Sequence, residues 1–320
     1  MRDYSVHLHR KPSRRTNLLP IIIGVVLFLI LTSIVLYFAQ KKDLQKDIKN
    51  LIFNQSTQKT PLLPLQPNVS SQKELLEKID KISKTTGGTF SVYIYDINKK
   101  QGFGVNEEMM ITAASVNKIA ILAALYFLAG KGEIDLEKII ILQQEDIQDY
   151  GTGTIRYDPT GTPYSLKTLA RLMMEKSDNT AAYLLGNVTI GIDKIQQLVD
   201  SWGLTQTNIM DNKTSAKDMG LLLTKMYLGQ ITTKPLTLEM FGFMDKSDFD
   251  DRIAAGIPEG IKVYHKTGDE IGKIHDAGIV VLPNHPYYIG IFSTDITDEE
   301  DTKRTEAQIS DLVFNYMRRL

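Results

Sequence analysis

The stretch "ITAASVNKIAIL", residues 111–122, would be an unbroken apolar helix but for Ser115, Asn117 and Lys118. On a helix, a serine and a lysine three positions apart share one face. A lysine carried into a core is costly unless it is paired or used. A serine at a helix start also meets the positive end of the helix dipole and free N–H groups. In a dry setting the lysine can lose its proton and act as base toward the hydroxyl. Such a pair has the chemistry to serve as a nucleophile with its proton acceptor. The spacing alone is weak: Ser70 and Lys73 repeat it in "SSQK", inside a proline-rich stretch that reads as a solvated tether.

Before this segment, Leu75, Leu76, Ile79 and Ile82 fall at helical spacing, and "TFSVYIYDI" (89–97) alternates as a strand does. "QGFGVN" (101–106) completes a hairpin with it. From about 130 to 250 the chain reads as mostly helical, as in "SLKTLARLMM" (165–174), with loops such as "DYGTGTIRYDPTGTPY" (149–164). Strand character returns in "IKVYHKTG" (261–268), "AGIVVLP" (277–283) and "YYIGIFST" (287–294). The segment 301–320 carries an apolar stripe through Ile309, Leu312, Val313 and Tyr316, a surface helix lying on a sheet. Two strands, a helical insert, three strands and a last helix predict an α+β fold. Its five strands would form an antiparallel sheet flanked by helices, beside an all-helical subdomain.

The 320 residues carry a net charge of −1 and no cysteine. A near-neutral chain gives no footprint for nucleic acid. Absence of cysteine excludes disulfides and thiol catalysis, and suits a bacterial exported protein. No H-E-x-x-H occurs, and His7, His9, His265, His275 and His285 are scattered, so neither metal nor cofactor is expected. Residues 18–40 hold no charge and are long enough to cross a bilayer. Arg2, Arg10, Lys11, Arg14 and Arg15 precede them, which places residues 1–17 in the cytoplasm and the rest outside. Bulky residues near the end of the run argue for an uncleaved anchor over a signal peptide. Residues 41–72 read as a linker and 73–320 as the working domain, a monomer held at the cell membrane.

Two further motifs stand in that domain. Ser177-Asp178-Asn179 lies between two helical stretches and by itself reads as an ordinary N-cap. Lys266-Thr267-Gly268 by itself reads as a strand ending in a turn. Taken in order, S-x-x-K, S-D-N and K-T-G resemble the signature of class A β-lactamases and penicillin-binding proteins. The likeness runs over about 73–320. It implies that Ser115 is the acylated nucleophile and Lys118 its proton acceptor. Ser177 would relay a proton to the leaving nitrogen, with Lys266 supplying positive charge beside it. Asn179 would bind the substrate amide, and Thr267, beside Gly268, its carboxylate. The backbone N–H groups of Ser115 and Asp269 would form an oxyanion hole. Arg252 is either a second carboxylate ligand or a surface salt bridge.

The chain departs from the class A pattern in one respect. In that family a glutamate in an Ω loop after S-D-N activates the deacylating water. Between Thr180 and Ser215 this chain is shorter and holds only Asp193, Asp200 and Asp211, with no glutamate. Asp193 and Asp200 fall on the solvent side of a helical pattern, which leaves Asp211 as the substitute. The expectation is a membrane-anchored serine hydrolase that is acylated by β-lactams or D-Ala-D-Ala-type wall peptides and deacylates slowly. The alternatives are an efficient β-lactamase with another base, and a non-catalytic binding or sensor domain.

Overall fold

A computed structural model describes residues 71–320. The anchor read over 18–40, and nearly all of the linker, lie outside the described residues. Among the described residues no helix is long and apolar enough to cross a membrane. The domain starts with α1 (Gln72–Thr86), whose N-cap is Ser71: its Oγ accepts from Glu74 N at 3.2 Å. The residues taken as the end of a tether thus open the first helix. Lys73 of that second S-x-x-K is exposed and ion-paired with Glu77.

β1 (Thr89–Asp96) and β2 (Gln101–Val105) form the first hairpin. A two-residue strand, β3 (Ile111–Thr112), leads into a 3₁₀ turn at Ala114–Asn117 and then α2 (Lys118–Gly130). The middle of the chain contains β4 (Ile139–Ile141), β5 (Pro163–Ser165), α3 (Leu166–Glu175) and α4 (Asn179–Tyr183). A π turn (Leu184–Ile190), α5 (Ile192–Ser201), β6 (Lys213–Thr214), α6 (Ala216–Tyr227) and α7 (Lys234–Met244) follow. β7 (Val263–Glu270), β8 (Lys273–Val280), β9 (Tyr287–Thr294) and α8 (Glu299–Met317) close the domain.

The large sheet has the order β2-β1-β9-β8-β7, with every pairing antiparallel. This is the expected five-stranded α+β arrangement. The helical region is less uniform than expected, since β4 pairs with β5 and β6 with β3 in two small ribbons. β8 starts at Lys273, four residues before the strand read at 277, because His275 and Asp276 are buried members of the ladder and not a polar turn.

Strand alternation explains why both sheet faces are covered. Val92, Ile94, Ile289 and Ile291 point into a core shared with Leu75 and Ile79 of α1 and Ile309 and Val313 of α8. Tyr93, Ala277, Tyr288 and Phe292 face the other way, into the core built with α2 and the middle helices. Each fully buried aliphatic side chain contributes about 1.5–3 kcal/mol. β7 lies at the edge of the sheet, so one of its sides is free to line a cleft against the helical half.

Candidate active site

Ser115 sits in the 3₁₀ turn, not in the α-helix expected there; α2 proper begins at Lys118. Ala114 holds a φ of 48°, a left-handed conformation that turns the chain sharply ahead of the serine. Gly268 of β7 packs against this turn. A Cβ there would lie 3.0 Å from Ser115 N and 3.0 Å from Ala113 O, so the K-T-G glycine is what lets the strand approach the serine.

Lys118 is buried, and its Nζ lies within hydrogen-bond distance of Ser177 O at 2.5 Å, Asn179 Oδ1 at 2.7 Å and Ser177 Oγ at 3.2 Å. Among the described residues none of its hydrogen bonds reaches Ser115, against the expectation that the two would face each other directly. Lys266, also buried, donates to Ser177 Oγ at 2.9 Å and to Thr267 O at 2.7 Å. Both lysines thus meet at one hydroxyl. Burial, reinforced by Lys266, holds the Lys118 ammonium well below its ordinary value. Burial also brings Lys266 down to about 7, against the pull of Asp269 and Asp276.

The S-D-N segment is both a cap and part of the site. Asp178 caps α4 through Ala181 N at 2.9 Å, while its second oxygen accepts from Thr154 N at 2.6 Å and Ile155 N at 2.9 Å. Gly153, at φ 125°, leaves room for that carboxylate; a Cβ there would lie 2.5 Å from Asp178 Oδ2. Asn179 Nδ2 donates to Tyr150 O at 3.0 Å. The 150–155 loop therefore forms one wall of the cleft because two side chains of the motif hold its backbone.

The opposite wall is the short connection from α5 to β6. Asn212, at φ 48°, accepts from Ala113 N at 2.8 Å through its carbonyl and from Asn117 Nδ2 at 2.9 Å through its side chain. Asn117 stood out in the sequence as a polar residue but was given no role, and Asn212 was not singled out. The only signal there is a polar residue inside an apolar helix and an asparagine able to take a left-handed turn.

Together these elements enclose a cleft of about 1000 Å³. Ser115, Lys118, Ser177, Asn179, Thr267 and Asp269 all line it. Lys266 reaches it through Ser177, and Arg252 is not part of its lining. Arg252 is also no surface salt bridge: its side chain is fully buried and grips Asp269. Asp211 is exposed and turns to Asn208 Nδ2 at 3.0 Å, whereas its neighbours Ile209 and Met210 line the cleft. Asp193 and Asp200 are exposed on α5. Among the described residues no cluster of His, Asp or Glu is suited to a metal ion.

A half-buried serine, two converging buried lysines and an edge strand pressed against the serine define an active-site-serine fold of the S-x-x-K, S-D-N, K-T-G class. The chain belongs to the beta-lactamase enzyme family, whose profile matches residues 74–317. It is 22% identical over 265 residues to the beta-lactamase VEB-1 of Pseudomonas aeruginosa, covering 75% of this chain and 89% of the relative. To a beta-lactamase of Proteus vulgaris it is 25% identical over 248 residues, 71% of this chain and 89% of the relative. Among solved structures, PBP-A has a similar fold, with a TM-score of 0.72 at 24% identity, covering 81% of this chain and 100% of PBP-A. A PBP-A mutant in acyl-enzyme complex with penicillin G matches with a TM-score of 0.72 at 24% identity over 78% of this chain and 98% of the mutant.

Proposed function

We propose that this protein is a serine acyl hydrolase acting through a Ser115 acyl-enzyme on β-lactams or D-Ala-D-Ala-type peptides, with slow deacylation. The observation that carries the reading is the meeting of Lys118 and Lys266 at Ser177 Oγ, within the cleft that Ser115 lines. Ser115 Oγ attacks the carbonyl carbon, and the new C–O bond forms as the C–N bond breaks. Neutral Lys118 takes the serine proton, which its depressed basicity permits. The proton then passes through Ser177 to the leaving nitrogen, with the Lys266 charge alongside. The N–H groups of Ser115 and Asp269 stabilise the charge that develops on the carbonyl oxygen.

Slow deacylation is supported by the carboxylates of the cleft. Asp269 is engaged by Arg252, Glu270 by Lys273 at 3.0 Å, and Asp211 turns away. None is free to activate a water. The uncharged run 18–40 supports a single-pass anchor that holds the domain outside the cell membrane.

One experiment tests both parts: cells producing the full chain are fractionated and treated with a fluorescent penicillin. A labelled band in the membrane fraction that persists for hours, and is lost in Ser115→Ala, is expected. Rapid release of product would replace the slow hydrolase with an efficient β-lactamase and call for another base. No label would overturn Ser115 as a β-lactam-reactive nucleophile and favour a non-catalytic domain. A labelled soluble fraction would overturn the anchor alone.

A further inference from the structure

At the Thr267 end of the cleft lies an ion pair that the acylation step does not use. Arg252 Nη1 is 2.7 Å from Asp269 Oδ1, and its Nη2 donates to Oδ2 at 2.8 Å, a bidentate grip. Nη1 also donates to His275 O at 3.0 Å, which ties the guanidinium to β8. The two partners are placed unequally. The Asp269 side chain is 46% exposed and lines the cleft, while that of Arg252 is 0% exposed and does not. The carboxylate therefore stands between the guanidinium and whatever occupies the cleft.

The surrounding charges leave that arrangement in force. Asp251 lies 3.2 Å from Arg252 Nε, adding a second negative charge on the outer side. Burial pushes the Glu306 carboxyl behind the pair well above the usual carboxylate range, against the pull of Arg252. Asp276 is taken by His265 at 2.9 Å and by Ile253 N at 3.1 Å. The other cation at this end, Lys266, is bonded to Ser177 Oγ and Thr267 O. A substrate carboxylate arriving at Thr267 thus meets a hydroxyl with Lys266, held on Ser177, behind it, and a neutralised arginine.

We propose that Asp269 sets the charge specificity of the cleft: by closing on Arg252 it cancels the cation beside Thr267, so substrates ending in a carboxamide are acylated about as readily as those ending in a carboxylate. This rests on the acyl-enzyme reading above. A matched pair of N-acyl-D-alanyl thioesters tests it with the full chain, one leaving group ending in a carboxylate and the other in a carboxamide. In each, the Ser115 Oγ–C bond forms, the C–S bond breaks, and the serine proton leaves with the sulfur. Thiol release gives the rate, and the mass of the acylated chain confirms the site.

The wild-type rates for the two thioesters are expected to agree within about threefold. Asp269→Asn should raise the carboxylate preference by about tenfold or more, because the guanidinium then loses its partner on the cleft side, keeps Asp251 only on the outer side, and acts on the cleft through low-dielectric protein. Arg252→Gln added to Asp269→Asn should bring the ratio back toward that of the wild type. Both thioesters meet the same preparation, so the ratio is independent of the folded fraction, and Asp269→Ser supplies a second variant. A wild-type preference for the carboxylate of about tenfold, or a ratio that Asp269→Asn and Asp269→Ser leave unchanged, would overturn the proposal. Absence of acylation by both thioesters and by penicillin alike would instead bring down the acyl-enzyme reading itself.

Discussion

At Ser177 the backbone φ of 52° lies in the left-handed region, where a residue with a Cβ costs about 1–2 kcal/mol. That conformation presents its carbonyl to Lys118 and Thr152 and its hydroxyl to both lysines. Strain and site belong to the same residue. Ser177→Gly should therefore unfold less readily than Ser177→Ala, by about 1 kcal/mol in denaturant titrations. Both should slow penicillin labelling by about a hundredfold or more, since neither can return the proton. Equal stability of the two variants would show that the turn stores no strain. The motif residues were legible in the sequence because their spacing is local, but their partners were not. Lys118 bonds to residues 59 and 61 positions away, and no pattern around residue 118 could announce that. Arg252 is the same case: its partner lies 17 positions on and across a strand.

At the level of elements, the cleft owes its shape to clamps between segments distant in sequence. Asp178 serves three backbone N–H groups, one in its own helix and two in the 150–155 loop. Removing it in Asp178→Ala forfeits a cap, at about 1 kcal/mol, and strands two N–H groups at about 1–3 kcal/mol each. A loss of roughly 3 kcal/mol or more in urea unfolding is expected, with slower labelling because the Tyr150–Thr152 wall is released. Asp178→Asn keeps one acceptor oxygen and should lose less. If Asp178→Ala unfolded like the parent, water would have to replace all three bonds. The N-cap half of this was legible from Ser-Asp-Asn before an apolar run. The loop half was not, because "DYGTGTIRY" shows only turn residues. β8 was misplaced for a related reason: buried His275 and Asp276 look polar in one dimension and are paired only in three.

Across the whole molecule, runs of β-branched and aromatic residues of strand length were enough to indicate the sheet, since strands buried on both faces read as nearly continuous apolar segments. What such runs could not show is that the edge bearing K-T-G is buttressed by two histidines in opposite states. His265 donates from Nδ1 to Asp276 at 2.9 Å and from Nε2 to Asp250 at 3.0 Å. Burial opposes its charge, but the two carboxylates win and raise it to about 9. His275 donates from Nε2 to Thr112 O at 2.8 Å and is held neutral, pushed down by burial to about 4. The two give stability slopes of opposite sign. The His265 contribution is fully present below the unfolded value of about 6.5 and is lost as pH rises through 9. The His275 contribution is intact above about 6.5 and is lost as pH falls toward 4. Other buried groups, Glu306 and Lys266 among them, add slopes of their own, so the prediction concerns differences from the parent. In urea titrations from pH 5 to 9.5, His265→Gln should be less stable than the parent at pH 6, and the gap should close by a few kcal/mol toward pH 9. A gap that stayed constant across that range would mean that His265 is not held as an imidazolium between Asp276 and Asp250.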